Sequence, residues 1–278
     1  MQITERPLDL DAYLARLGLG LAPLADVDGL TTIQRMHRLS IPFENLDVRL
    51  GRGISLDPDH VFDKLVHKRR GGYCFEQNQL FLRALTAIGY DARPLLARVW
   101  LGATELPPLT HTINLVRIGG EEWIADAGFG GSYGPPMRLA DGSEATAPDG
   151  AQFRLRLTGT HGWMLDRRGD PRATDGRSDN PDWQPQYSFT LERVEPADLE
   201  MGNHWTSTRP GVRMTSLAIV SLVLPSGFAT LTERHYTRRN GDQYVEADLD
   251  SATAYRLRLN FVFGIALDEV EVMGLGLY

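Results

Sequence analysis

Over residues 1–90 the apolar positions recur every three or four residues, the spacing of helices that turn one face to a core. Residues 9–17 open with possible caps, carry apolar residues at helical spacing and halt at Gly18. A second helix fits 30–39, with Leu30, Ile33, Met36 and His37 on one side, and a third runs from Ile54 through Val61 to Leu65. The clearest starts near Cys74 and stops at Gly89, burying Leu80, Phe81, Ala84, Leu85 and Ile88. After Gly89 the period changes. Residues 95–101 read as a strand, and 111–118 and 121–126 read as two strands joined by a tight Gly119-Gly120 turn. Strand-like pieces follow at 153–157 and 162–165, and the polar segment 167–181, rich in Gly, Asp and Pro, reads as an exposed loop. A mixed region begins near Tyr187, with an apolar run at 217–224, a hairpin turning at Asn240-Gly241 and a helix over 251–263. Helices, then strands, then a mixture predict an α+β fold in three parts, 1–90, 91–186 and 187–278.

Composition narrows the class. A chain of 278 residues with 42% apolar, 23% charged and 9% aromatic residues is an ordinary globular composition. The net charge of −7 argues against a nucleic-acid partner, which would need a basic face. The longest apolar run, 217–224, is far short of a membrane span, and Met1 to Pro7 shows no basic-then-apolar leader, so a soluble cytoplasmic protein is expected. The histidines form no ligand pattern with Cys or Glu, so no metal site is expected.

The informative chemistry surrounds the single cysteine. Arg70-Gly71-Gly72-Tyr73-Cys74 places a thiol after a glycine pair and at a helix start. Glycines let the backbone turn sharply, and the positive helix end should lower the thiol pKa. The competing reading is a small buried hydrophobe. A nucleophilic thiol needs a base and the base an orienting group, and the hairpin supplies both. If Gly119-Gly120 is a two-residue loop, Ile118 faces Glu121 and Ile113 faces Asp126, which makes His111 the diagonal same-face neighbour of Asp126. Such neighbours lie about 7–8 Å apart at Cα, within side-chain reach. Arg70, beside the glycines, needs a buried acid, and Glu44 in the apolar stretch 41–46 is the candidate. Gly130-Gly131-Ser132-Tyr133-Gly134 imitates a serine-hydrolase elbow, but Pro135-Pro136 follows where a helix is required. Gly128-Phe129-Gly130 begins a dinucleotide fingerprint that nothing completes, although its N–H groups could cradle phosphates.

Taken together, His37 to Leu46 (with Pro42-Phe43-Glu44-Asn45), Arg70 to Asn78, Thr110 to Val116 and Trp123 to Gly130 resemble the arylamine N-acetyltransferase family, with a looser echo at Ser207-Thr208. The resemblance implies a cysteine-protease-like core: an N-terminal helical bundle, a middle β-barrel and a C-terminal α/β lid. It implies a Cys-His-Asp triad on Cys74, His111 and Asp126, and acetyl transfer from acetyl-CoA to arylamines, arylhydrazines or N-hydroxyarylamines. It also implies acceptor contact at Phe129 and substrate contacts at Thr110, Gly130, Gly131, Ser207 and Thr208. Three rivals stay open: an amide synthase of the same family acting on a polyketide chain, a thiol hydrolase, and a non-catalytic binding module.

Overall fold

A computed structural model describes residues 7–278; the first six, where the leader reading falls, lie outside the described residues. Helix α1 (Leu10–Leu17) is capped by Asp9, which accepts from the Ala12 N–H, and ends on left-handed Gly18. Helix α2 (Val27–Ser40) begins earlier than the apolar spacing predicts, because Asp26 caps it through the Gly29 N–H. Strand β1 (Phe43–Glu44) and α3 (Leu46–Arg49) follow. The third helix starts late: Pro58 takes its first turn, so α4 covers Pro58–Phe62 and then widens into a π-helical turn at Asp63–His67. Helix α5 (Cys74–Ile88) ends at left-handed Gly89, as its pattern predicts.

The chain then builds eight strands: β2 (Asp91–Val99), β3 (Leu109–Ile118), β4 (Glu121–Ala125), β5 (Met137–Arg138), β6 (Glu144–Thr146), β7 (Gln152–Thr158), β8 (Gly162–Arg168) and β9 (Gln184–Phe189). Their antiparallel order is β5-β4-β3-β2-β9-β8-β7-β6, and only residues 139–143 separate the two edge strands, so the sheet curls into a nearly closed barrel. The C-terminal part adds α6 (Pro196–Thr208), α7 (Arg213–Ser216), β10 (Ile219–Leu224), β11 (Gly227–Thr232), β12 (His235–Asn240), β13 (Gln243–Asp248), α8 (Ala252–Phe263) and α9 (Glu269–Gly274). Its sheet takes β1 of the N-terminal segment as an edge strand, in the order β1-β10-β11-β12-β13. Helix α6 carries no apolar stripe (only Gly202, Asn203 and Thr206 are buried), which is why periodicity does not reveal it. Segment 167–181 departs from a purely exposed loop: Ala173 is buried and the Asp175 N–H binds the Gly131 carbonyl. Among the described residues, no helix is long and apolar enough to cross a membrane.

The helical bundle, the barrel interior and the C-terminal sheet with α8 each hold an apolar core. Where they meet, a buried network of charges fixes the approach to α5. Glu44, fully buried, receives Arg70 at 2.7 Å. Asp47 binds Arg70 at 3.2 Å and Lys64 at 2.7 Å, and Lys64 also reaches Glu76 at 2.8 Å. Glu76 in turn accepts the Tyr73 N–H at 3.0 Å, so the network ends one residue before Cys74. Asn45 ties the same corner to the C-terminal part, donating to the Met214 and Leu217 carbonyls and accepting the Ile219 N–H. Removing one member of such a network strands its partner's charge in a low-dielectric site. Glu44→Gln should therefore cost about 3 kcal/mol or more of unfolding free energy; in urea titrations a loss below about 1 kcal/mol would contradict this arrangement.

Candidate active site

The residues before Cys74 are held from below. Neither Gly71 nor Gly72 has a left-handed backbone; instead, a Cβ on Gly71 would stand 2.2 Å from the Pro42 carbonyl oxygen. The glycine pair thus serves close approach to the strand beneath, not the sharp turn that the sequence suggests. Gln77 clamps this contact, its Nε2 donating to the Pro42 and Gly72 carbonyls at 2.9 Å each. Its Oε1 can only accept, so His37 donates from Nε2 at 2.9 Å and accepts the Tyr13 hydroxyl at Nδ1, 2.8 Å away. Burial pulls the His37 pKa down to about 3, so this imidazole stays neutral and structural.

Cys74 opens α5 and donates its thiol to the Thr110 carbonyl at 3.6 Å. Burial pushes the thiol pKa up, and the nearby Asp126 charge pushes the same way. The N–H groups of Phe75, Thr112 and Cys74 itself oppose this without overcoming it. A helix N-terminus alone therefore does not lower this pKa, contrary to the sequence expectation, because burial of the thiol and the Asp126 charge outweigh it.

The β3–β4 hairpin has the register its turn dictates. Gly119 and Gly120 both take positive φ, Ile118 pairs with Glu121 and Asn114 with Ala125. Asp126 emerges one residue beyond β4, and His111 Nε2 lies 2.8 Å from its Oδ2. Burial alone would raise the Asp126 carboxyl; His111, with hydrogen bonds from the Asn78 side chain and the Gly128 N–H, outweighs it and holds the group below its ordinary value. An ionised Asp126 fixes the tautomer, so Nε2 carries the proton and Nδ1 keeps its lone pair. The rings of Phe129 and Tyr187 pack on His111 with centroids 5.3 and 5.2 Å away.

Cys74 and His111 share the wall of one cleft of about 320 Å³ with Thr110, Phe129 and Gly130. Asp126 stands behind His111, outside that wall. Gly131, Ser207 and Thr208 are not among the lining residues. Ser207 and Thr208 donate into their own helix, to the Asn203 and His204 carbonyls, and their neighbours Trp205 and Thr206 face the cleft instead. Several supporting residues carry no sequence signal of their own. Asn78, one turn after Cys74, reaches Asp126, the Thr112 carbonyl and the Ala127 N–H. Gln34 accepts the Asp126 N–H, and buried Arg38 donates to the Ala127 and Phe129 carbonyls. From the far side, Asp175, Arg177 and Arg213 complete the rim.

A thiol and an imidazole in one apolar cleft, the imidazole backed by an ionised carboxylate, define the equipment of a thiol-dependent acyl-transfer enzyme. A family profile described as N-acetyltransferase matches residues 26–272. The arylamine N-acetyltransferase of Escherichia coli (strain K12) is 36% identical over 266 residues, covering 94% of this chain and 90% of that protein. The solved arylamine N-acetyltransferase of Salmonella typhimurium superposes with a TM-score of 0.88 at 34% identity, covering 97% of this chain and 98% of the other. That of Mycobacterium marinum, solved in complex with CoA, gives a TM-score of 0.86 at 28% identity over 96% and 98% of the two chains. The chain belongs to the arylamine N-acetyltransferase family.

The loop after Asp126 is packed directly on the nucleophile's backbone. A Cβ on Gly128 would lie 2.5 Å from Asn78 Nδ2 and 2.9 Å from Cys74 Cα. Gly128→Ala should lower stability by about 1–3 kcal/mol through overpacking, measured by urea denaturation; an unchanged unfolding midpoint would refute this close packing.

Proposed function

We propose that this enzyme transfers an acetyl group from acetyl-CoA, by way of a Cys74 thioester, to the nitrogen of arylamines or arylhydrazines, or to N-hydroxyarylamines, in the cytoplasm. The observation that carries the reading is the wall shared by Cys74 and His111, with Asp126 bonded behind the imidazole. Family membership and the CoA bound to the Mycobacterium marinum neighbour support acetyl-CoA as donor.

The first half-reaction begins with proton transfer from the Cys74 sulfur to His111 Nδ1. A lone thiolate is disfavoured here, since burial and Asp126 both raise the thiol pKa. An imidazolium between the two anions removes both objections, because each then faces a positive charge. The thiolate attacks the acetyl carbonyl, the carbon–sulfur bond to coenzyme A breaks, and His111 returns its proton to the departing sulfur. N–H groups in the first turn of α5, that of Cys74 among them, stabilise the tetrahedral oxyanion. In the second half the amine attacks the acetyl-enzyme, His111 takes its proton, and Cys74 leaves as thiolate. One thioester forms from another at little free-energy cost, and the amide lies downhill from both.

Mixing the protein with acetyl-CoA alone should add one acetyl group on Cys74, detected by peptide mass spectrometry. No adduct, or an adduct that persists in Cys74→Ala, defeats the mechanism. The imidazole's role has a pH signature. In His111→Gln the raised thiol has no base beside it, so iodoacetamide alkylation at neutral pH should slow by about a hundredfold. It should recover about tenfold per pH unit as the medium deprotonates the sulfur. A variant that alkylates at the parent rate would exclude His111 as the base.

A further inference from the structure

Segment 167–181 and β9 enclose a second, much smaller chamber of about 20 Å³. Leu101, Asp175 and Arg177 line both this chamber and the cleft that holds Cys74, so they divide the two. The Asp175 N–H binds the Gly131 carbonyl at 2.9 Å, which fixes the segment there. Arg167, near the end of β8, also lines the chamber and is only 5% exposed. Its Nη2 donates to the Asp170 carbonyl at 3.1 Å, whereas its buried Nε makes no hydrogen bond. Arg177 spends its Nε on the Asp175 carboxylate at 2.7 Å. Among the described residues, no acceptor is hydrogen-bonded to its two terminal nitrogens.

The surrounding charges do not balance. Asp149 stands 4.0 Å from Arg167, Asp170 takes Arg172 and Arg239, and Asp175 takes Arg177 and Arg213. Five guanidiniums thus share three carboxylates, and Arg239 also keeps a buried nitrogen, Nη1, without a hydrogen bond. Asp179 and Asp182 are exposed and lie outside the chamber wall. Burial outweighs Asp149 and Asp170 and pulls the Arg167 pKa below its ordinary value, so these acids do not offset its desolvation. Size then selects the ligand. About 20 Å³ admits one particle near the size of a water molecule, which excludes a phosphate, a sulfate or an arene. Guanidinium nitrogens only donate, and a water that accepts from them must still place two protons of its own. The one carboxylate in the wall, Asp175, is already shared by two arginines. A monatomic anion accepts from several donors, has no proton to place and cancels surplus charge.

We infer that this chamber is a binding site for one small monovalent anion, chloride above all, held by Arg167 and Arg177 and fixing segment 167–181 against the cleft. The inference stands independently of the acetyl-transfer reading. The test is chloride NMR line broadening with the full chain at constant ionic strength, methanesulfonate (too large for the chamber) being the balancing anion. The parent chain should broaden the chloride line saturably, and bromide should compete. Crystals grown with bromide should show an anomalous peak between Arg167 and Arg177. Half-saturation should move about tenfold to higher chloride in Arg177→Gln, as expected for loss of one charge-assisted contact. Binding should be lost in Arg167→Gln, and the half-buried Arg177 keeps the test decisive if that variant does not fold. Replacing methanesulfonate by chloride should raise the urea unfolding midpoint of the parent chain, because a ligand of the native state stabilises it. The absence of saturable broadening, or broadening unchanged in the variants, overturns the inference. So does an ordered water in the chamber that bromide does not displace, or a bromide peak found only elsewhere.

Discussion

The hydrogen bond of 2.8 Å between His111 and Asp126 is the contact on which the site depends. Two potential anions, a thiol and a carboxylate, stand close together, and burial and the Asp126 charge both disfavour ionisation of Cys74. Only a group that accepts a proton while lying between them lets both carry charge. On the proposed mechanism the imidazole does this, because Asp126 fixes its tautomer, and Asp126 stays ionised because His111, Asn78 and Gly128 outweigh its burial. On that mechanism, reactivity therefore belongs to the three groups as a set and not to the sulfur alone.

Much of the remaining structure holds that set still. Below α5, charges from Glu44 to Glu76 and the neutral chain Tyr13–His37–Gln77 lock the loop that leads to Cys74. Above it, Gln34 and Arg38 reach from α2 to the backbone around Asp126 and Phe129. Cys74 rides on the bundle and His111 on the barrel, so their convergence depends on this interface. Buried polar groups concentrate there because each must find a partner, and satisfied networks specify one arrangement in a way that apolar packing alone does not.

How much of this was legible in the sequence follows from which forces act locally. Caps, glycine stops and apolar spacing are local, and they placed α1, α5 and α8 with their ends. A two-residue turn propagates its register along both strands, so the His111–Asp126 pairing could be read from residue numbers alone. The pairing of Arg70 with Glu44 followed from the cost of a lone buried charge. Features set by distant contacts were hidden. Helix α6 is held against β3 without an apolar stripe, and a polar segment that looked exposed returns to deliver Asp175 and Arg177. The direction of the Cys74 shift depends on a wall assembled from barrel and lid, which no local pattern contains.

On the proposed mechanism the sulfur ionises only together with His111. Thiolate ultraviolet absorbance measured across the pH range, in the parent chain and in Asp126→Asn, tests it most directly. A thiolate signal already present at neutral pH in the parent and displaced to alkaline pH in the variant is the expected result. A signal that rises only at alkaline pH in both proteins would contradict the account.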